Sequence, residues 1–108
     1  MAVQTEEWSS TEQDIAQRAF HMAYEREITA LMAEVRRRVD HVTQIEEIWR
    51  LHDFLSARRH QMDGKYDFNF PALLFIFAGL VKEGWLGLED LQGLAGDKLA
   101  KISALTRM

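Results

Sequence analysis

No cysteine occurs among the 108 residues. That excludes a disulfide framework, a thiolate nucleophile and a cysteine-based zinc site. A reducing cytosol fits such a chain. Proline occurs once, and none of the six glycines comes before Gly64. Residues 1–63 therefore hold neither breaker, which predicts long helices first and shorter ones afterwards. Positive charge is also scarce: 13 Lys and Arg stand against 17 Asp and Glu, for a net charge of −4. Nonspecific affinity for nucleic acid is not expected from that balance. Long hydrophobic runs are missing too. The longest, PALLFIFAGLV at 71–81, falls short of the ~20 apolar residues that span a bilayer, and reads as a buried helix. The start, MAVQTEEWSS, is acidic without an apolar run, and is not expected to be a signal peptide.

What is present points to a single all-α domain. Ser9 followed by Glu12, and Ser10 followed by Gln13, have capping-box spacing and predict the start of a first helix. Ile15, Ala19, Ala23, Ile28, Leu31, Val35 and Val39 form one stripe at helical spacing. The rhythm breaks at Asp40–Val42. Thr43 with Glu46 predicts a second cap, so a second helix is expected from Gln44 to a glycine cap at Gly64; one continuous helix is the alternative. Asp67 or Asn69 can cap a third helix with Pro71 in its first turn, ended by Gly84. Leu88–Leu94 reads as a short helix and Lys98–Thr106 as the last. The expected architecture is a stalk of two long antiparallel helices (1–64) and a head of about three short ones (65–108).

The stripe from Ile15 to Val39 covers roughly 36 Å at ~1.5 Å per residue. Three short helices cannot cover it all, so a homodimer packed stalk on stalk is expected. Its contacts would come from Leu31 and Val35 on the first helix and from Ile45, Ile48 and Trp49 on the second. Met22, Met32 and Met62 are spaced as core fillers.

The richest chemistry lies in WRLHDFLSARRHQMDGKYD, residues 49–67. At about 100° per residue, Leu51, Met62, Leu55, Ile48 and Ile45 share an apolar arc, with Arg59 and His52 in its far part. Trp49, His60 and Asp53 follow at its edge, and Phe54 falls on the opposite side. Each has a plainer reading: Trp49 as a boundary core residue, Asp53 as a solvated charge, Arg59 as the i,i+4 partner of Asp63. Together they have the composition of a binding hot spot, since Trp and Arg are enriched there and a neighbouring carboxylate sets specificity. Arg36–Arg38 at the end of helix one reads as complementing the helix dipole, with an acidic or phosphate-bearing partner as the other reading.

Catalysis finds little support. His52–Asp53 is the dipeptide of the HD-type metal phosphohydrolases, with His21 upstream, but the further downstream aspartate that such enzymes need has no room here. HExxH and a phosphate-cradling glycine loop are both absent. The last two short helices superficially suggest helix-turn-helix, yet Asp97 occupies an apolar position of the turn and basic residues are few.

The block TQIEEIWRLHDFLSARRHQMDGKYD, 43–67, resembles the fluorescence recovery protein family of cyanobacteria. The similarity extends to Trp8, AYERE at 23–27, FIFAGL at 75–80 and GDKLAKISAL at 96–105. The resemblance implies an all-α homodimer with a helical stalk and head, no enzymatic activity and no cofactor. It implies binding to the photoactivated orange carotenoid protein, mainly to its C-terminal domain. Return to the inactive orange form is then accelerated, and photoprotective quenching of phycobilisomes ends. Carried over by motif, the partner-binding residues are Trp49, His52, Asp53 and Arg59, with Phe75 and Lys101 in the head, and Ile48 lies at the dimer seam. A cytoplasmic protein is implied, with peripheral placement at the thylakoid membrane left open. FNFPALL at 68–74 and Trp85 depart from the family pattern, so the head's contacts are less firmly implied than the stalk's. Relatives in bacteria without phycobilisomes keep open an adaptor role toward another protein.

Overall fold

The cap read at Ser9 forms as a reciprocal pair. The Glu12 amide donates to Ser9 Oγ at 3.1 Å, and the Ser9 amide donates to Glu12 Oε1 at 3.1 Å. In the computed structural model, which describes residues 7–108, helix α1 then runs over Ser10–Asp40. Helices α2 (Ile45–Lys65), α3 (Leu73–Glu83) and α4 (Gly96–Thr106) follow, with 3-10 turns at Phe70–Ala72 and Leu88–Leu91. No strand occurs among the described residues, only an isolated bridge between Gln92 and Leu94. The first six residues, part of the segment read as lacking signal-peptide character, lie outside the described ones.

The chain divides into two compact units. One joins α1 up to Tyr24 with Phe68–Met108; the other is Glu25–Asp67. The expected boundary at 64/65 is thus drawn differently, because the start of α1 packs with the C-terminal helices. Ala16, Ala19 and Ala23 are buried there and let neighbours come close, while Leu73, Phe77, Leu80, Leu91 and Ile102 fill the centre. The unusual FNFPALL stretch serves this unit. Phe68 packs edge-on against Phe20 and Phe70, each at 5.1 Å between centroids, and Phe70 meets Trp8 at 5.5 Å. Such aromatic pairs contribute ~0.5–1.5 kcal/mol each beyond their buried area. The buried carboxylate of Glu12 also accepts from the Ala95 amide at 2.8 Å and from Lys98 Nζ at 3.2 Å, tying the start of α1 to the start of α4.

In the Glu25–Asp67 unit, α1 and α2 run antiparallel: Arg38 meets Phe54, and Glu27 meets Arg58, Lys65 and Tyr66. Several expectations shift here. Helix α2 starts at Ile45, and Glu47 rather than Glu46 reaches back, accepting from Thr43 Oγ1 at 3.0 Å. Gly64 lies inside α2 and caps nothing. The helix ends after Lys65 because Lys65 Nζ and the Tyr66 hydroxyl both bind Glu27, each at 2.7 Å. Met62 is buried but Met32 is about half exposed, so Met32 is not a core filler. Gly84 does end α3, with φ of 89° and its amide bonded to the Leu80 and Val81 carbonyls. The stretch read as a helix over Leu88–Leu94 is a 3-10 turn ending at Leu91.

Candidate partner-binding face of helix α2

The exposed face of α2 is set by what its other face buries. Met62 is buried, and Leu51, Phe54, Leu55, Arg58 and Lys65 are half-buried. These residues share one arc of the helix at about 100° per residue. Glu27 anchors the arc from α1. Its carboxylate is buried, accepting from Lys65, Tyr66 and Arg58, the last at 3.1 Å. Burial alone would raise the Glu27 carboxyl; the hydrogen bonds from Lys65 and Tyr66 and the two nearby charges bring it below its ordinary value. Glu27 sits on the same helical stripe as Ala16, Ala19 and Ala23, at i+4 from the last. A carboxylate at a core position of that stripe was the available sign of its role.

Phe54 corrects the helical-wheel expectation. It is half-buried rather than outward, because the Arg38 guanidinium lies 3.8 Å from its ring centroid and Arg58 lies 5.8 Å away. That is cation–π geometry.

The adjoining arc of α2 is exposed and carries the sequence-selected residues together, including Ile45, Ile48, His52 and Arg59, which the wheel places with Leu51, Leu55 and Met62. Ile45, Ile48 and Trp49 occupy its first turns, and Trp49 is 59% exposed. His52, Asp53, Arg59 and His60 continue along it, all exposed. Their mutual contacts are slight: His52 Nδ1 lies 3.4 Å from Asp53 Oδ1, and Arg59 Nε lies 3.8 Å from Asp63 Oδ2. Exposed pairs of this kind contribute ~0–1 kcal/mol, so the fold does not depend on them. On α1 in the same unit, Leu31 and Val35 are half-buried, while Val39 is 52% exposed. Phe75 on α3, 67% exposed, and Lys101 on α4, also exposed, belong to the other unit.

Arg37 and Arg38 both bind Glu34, and Arg38 Nε lies 2.7 Å from its carboxylate. Hydrogen bonds from Arg37 and then Arg38 lower the Glu34 carboxyl to about 2 from the ordinary 4.5. Among the described residues, no three His, Asp or Glu side chains gather where they could hold a metal ion. The helix-turn-helix alternative loses its first helix, since Leu88–Leu91 is a single 3-10 turn. No helix among the described residues is long and apolar enough to cross a membrane.

Residues 8–106 match the family model of the photoprotection regulator fluorescence recovery protein. The fluorescence recovery protein of Synechocystis sp. PCC 6803 is 48% identical over 101 residues, covering 94% of this chain and 93% of that protein. The solved structure of the Fremyella diplosiphon fluorescence recovery protein is 56% identical, with a TM-score of 0.92 over 94% of this chain and 100% of that one. The Synechocystis structure is 47% identical, with a TM-score of 0.91 over the same shares.

Proposed function

The chain belongs to the fluorescence recovery protein family, a family of photoprotection regulators, and from that membership we propose that it binds the photoactivated orange carotenoid protein. Docking is mainly to that protein's C-terminal domain. It accelerates return to the inactive orange form, and so ends quenching of phycobilisomes at the cytoplasmic side of the thylakoid membrane. The protein acts as a non-enzymatic homodimer. Leu31, Val35, Ile45, Ile48 and Trp49 form the seam between two copies.

One observation carries this reading at the level of residues. Trp49, His52, Asp53 and Arg59 share one exposed arc of α2 and are not needed to hold the fold. An indole, a carboxylate and a guanidinium on a rigid helix offer stacking, charge and bidentate hydrogen bonding with little ordering cost. Phe75 and Lys101 provide the second set of contacts. A binder speeds a conformational return only by stabilising its transition state more than its starting state. Bridging two separated domains of the partner does this by raising their effective concentration.

The test follows the absorbance of photoactivated orange carotenoid protein in the dark, with and without this protein. Faster recovery of the orange form is expected. An unchanged rate would sink the function. Asp53→Leu and Arg59→Leu are expected to lose most of the acceleration while keeping wild-type helicity; full acceleration in both would place docking elsewhere.

A further inference from the structure

The turn between α1 and α2 holds a cleft of about 180 Å³ that the docking face does not use. Arg37, Arg38 and His41 line it from the end of α1 and Arg50 from the start of α2, over a floor that includes Leu51. We propose that this cleft is a phosphate-binding site.

The donors are held and still have capacity. The Arg38 guanidinium is fixed against the Phe54 ring and binds Glu34 through Nε, which leaves its terminal nitrogens without a partner among the described residues. Arg37 binds the same carboxylate through one terminal nitrogen. Arg50 is exposed, and its charge acts on Glu47 without a close ion pair between them. His41 Nδ1 lies 2.7 Å from the Arg37 carbonyl. A carbonyl only accepts, so Nδ1 carries the proton, and one of the last acceptors of α1 is already bonded. Glu47 is the one carboxylate lining the cleft. Its Oε1 accepts from the Thr43 hydroxyl and amide, so it is committed to capping α2. Three guanidinium groups thus stand against two carboxylates, Glu47 in the cleft wall and Glu34 behind Arg37 and Arg38, which leaves one net positive charge for an anion. Guanidinium pairs match phosphate oxygens bidentately, which ammonium groups do not. The cleft is smaller than the ~300–1,000 Å³ of organic-ligand pockets, and so suits a phosphate or diphosphate group rather than a whole cofactor. That group can come from a small free ion or from a lipid headgroup.

Calorimetric titration of the full chain with sodium pyrophosphate at low ionic strength tests the free-ion source. Sedimentation with phosphatidylcholine vesicles containing phosphatidic acid tests the headgroup source. Saturable binding to either probe is expected. Arg50→Gln and Arg37→Gln should each weaken it about tenfold, the loss of roughly one charge-assisted hydrogen bond. Arg107→Gln, a cation of the other unit, should leave it unchanged. Arg37 and Arg50 are both exposed, so circular dichroism of the two variants should match the wild type. Binding to pyrophosphate assigns a free phosphate, and binding to vesicles alone assigns a headgroup. No saturable binding to either probe overturns the site, as does equal binding by Arg50→Gln.

Discussion

Two buried glutamates decide where α1 goes, and each is neutralised by side chains far away in sequence. Glu12 illustrates the energetics. The backbone hydrogen bonds from Ala95 and Ser9, and then Lys98, hold its carboxyl at about 2 against an ordinary 4.5, in spite of burial that would raise it. The unfolded chain therefore takes up this proton at higher pH than the folded one. The stability that Glu12 contributes is full above about pH 5 and is lost as the pH falls through 4.5 toward 2. Urea midpoints measured between those limits should fall with pH, and Glu12→Gln should flatten that slope. A slope unchanged in Glu12→Gln would assign acid sensitivity to other carboxylates. Lys98 is the other half of the pair, 4% exposed, with its ammonium also bonded to the Glu7 carbonyl. Removing one partner of a buried pair leaves the other charge uncompensated, so Lys98→Ala should cost ~3–5 kcal/mol in urea denaturation. A loss below about 1 kcal/mol would mean that the amides of Ser9 and Ala95 suffice for Glu12.

At the scale of elements, two glycines near helix C-termini, Gly64 and Gly84, separate what local sequence dictates from what packing dictates. Gly84 is a cap as read, because its φ of 89° suits glycine and turns the Trp85 and Leu86 amides back onto the Leu80 carbonyl. Gly64 looks equivalent in sequence and is not, because Lys65 and Tyr66 just past it are drawn to Glu27 of α1. Packing between helices overrides the local signal. Gly64→Ala should therefore stabilise the protein by ~0.5–1 kcal/mol, since a methyl there meets nothing within 4 Å. Gly84→Ala should destabilise it by about 1 kcal/mol or more. Thermal or urea unfolding of the two variants checks both signs, and a loss in Gly64→Ala would restore its role as a cap. Gly93 is bound by a second constraint, since a Cβ there would lie 2.5 Å from Ile15 Cδ1. The same division explains the site. Periodicity placed Trp49, Asp53 and His60 at the edge of the apolar arc, where they are exposed. It placed Arg59, His52, Ile45 and Ile48 within that arc, and these are exposed too because the face that packs on α1 centres on Phe54, Arg58 and Met62. Phe54 was not legible from periodicity, because its cover, Arg38, comes from another helix. Glu27 was missed for the same reason: its three partners lie 31 or more residues away.

At the scale of the whole molecule, the two units differ in how they are held together. The unit built from the start of α1 and Phe68–Met108 has its own apolar centre, with Leu73, Phe77, Leu80, Leu91 and Ile102 fully buried. In the Glu25–Asp67 unit only Glu27 and Met62 are buried. Its other apolar residues stay partly or largely in water: Ile28, Leu31 and Val35 half-buried, and Met32, Val39, Ile45, Ile48 and Trp49 exposed. A helical pair with so little interior cannot offset the ~1–2 kcal/mol per residue of backbone entropy that ordering costs. The apolar residues left on both helices are the surface that a second copy of this chain is proposed to cover. In a twofold seam each substitution acts twice. Ile48→Asp removes an apolar contact worth ~1.5–3 kcal/mol from each copy and places a charge there. Dimer affinity should fall by at least about a hundredfold, since ~1.4 kcal/mol is tenfold. Sedimentation equilibrium at micromolar concentration should then show a monomer where the wild type shows a dimer. The unfolding temperature of the wild type should also rise with protein concentration, a dependence that Ile48→Asp should abolish. Because Ile48 is exposed within a single copy, the variant should keep the α3–α4 core, and loss of a cooperative urea transition would instead mean misfolding. An Ile48→Asp protein that sediments as an intact dimer would move the seam off α2 and leave Trp49 to the partner alone.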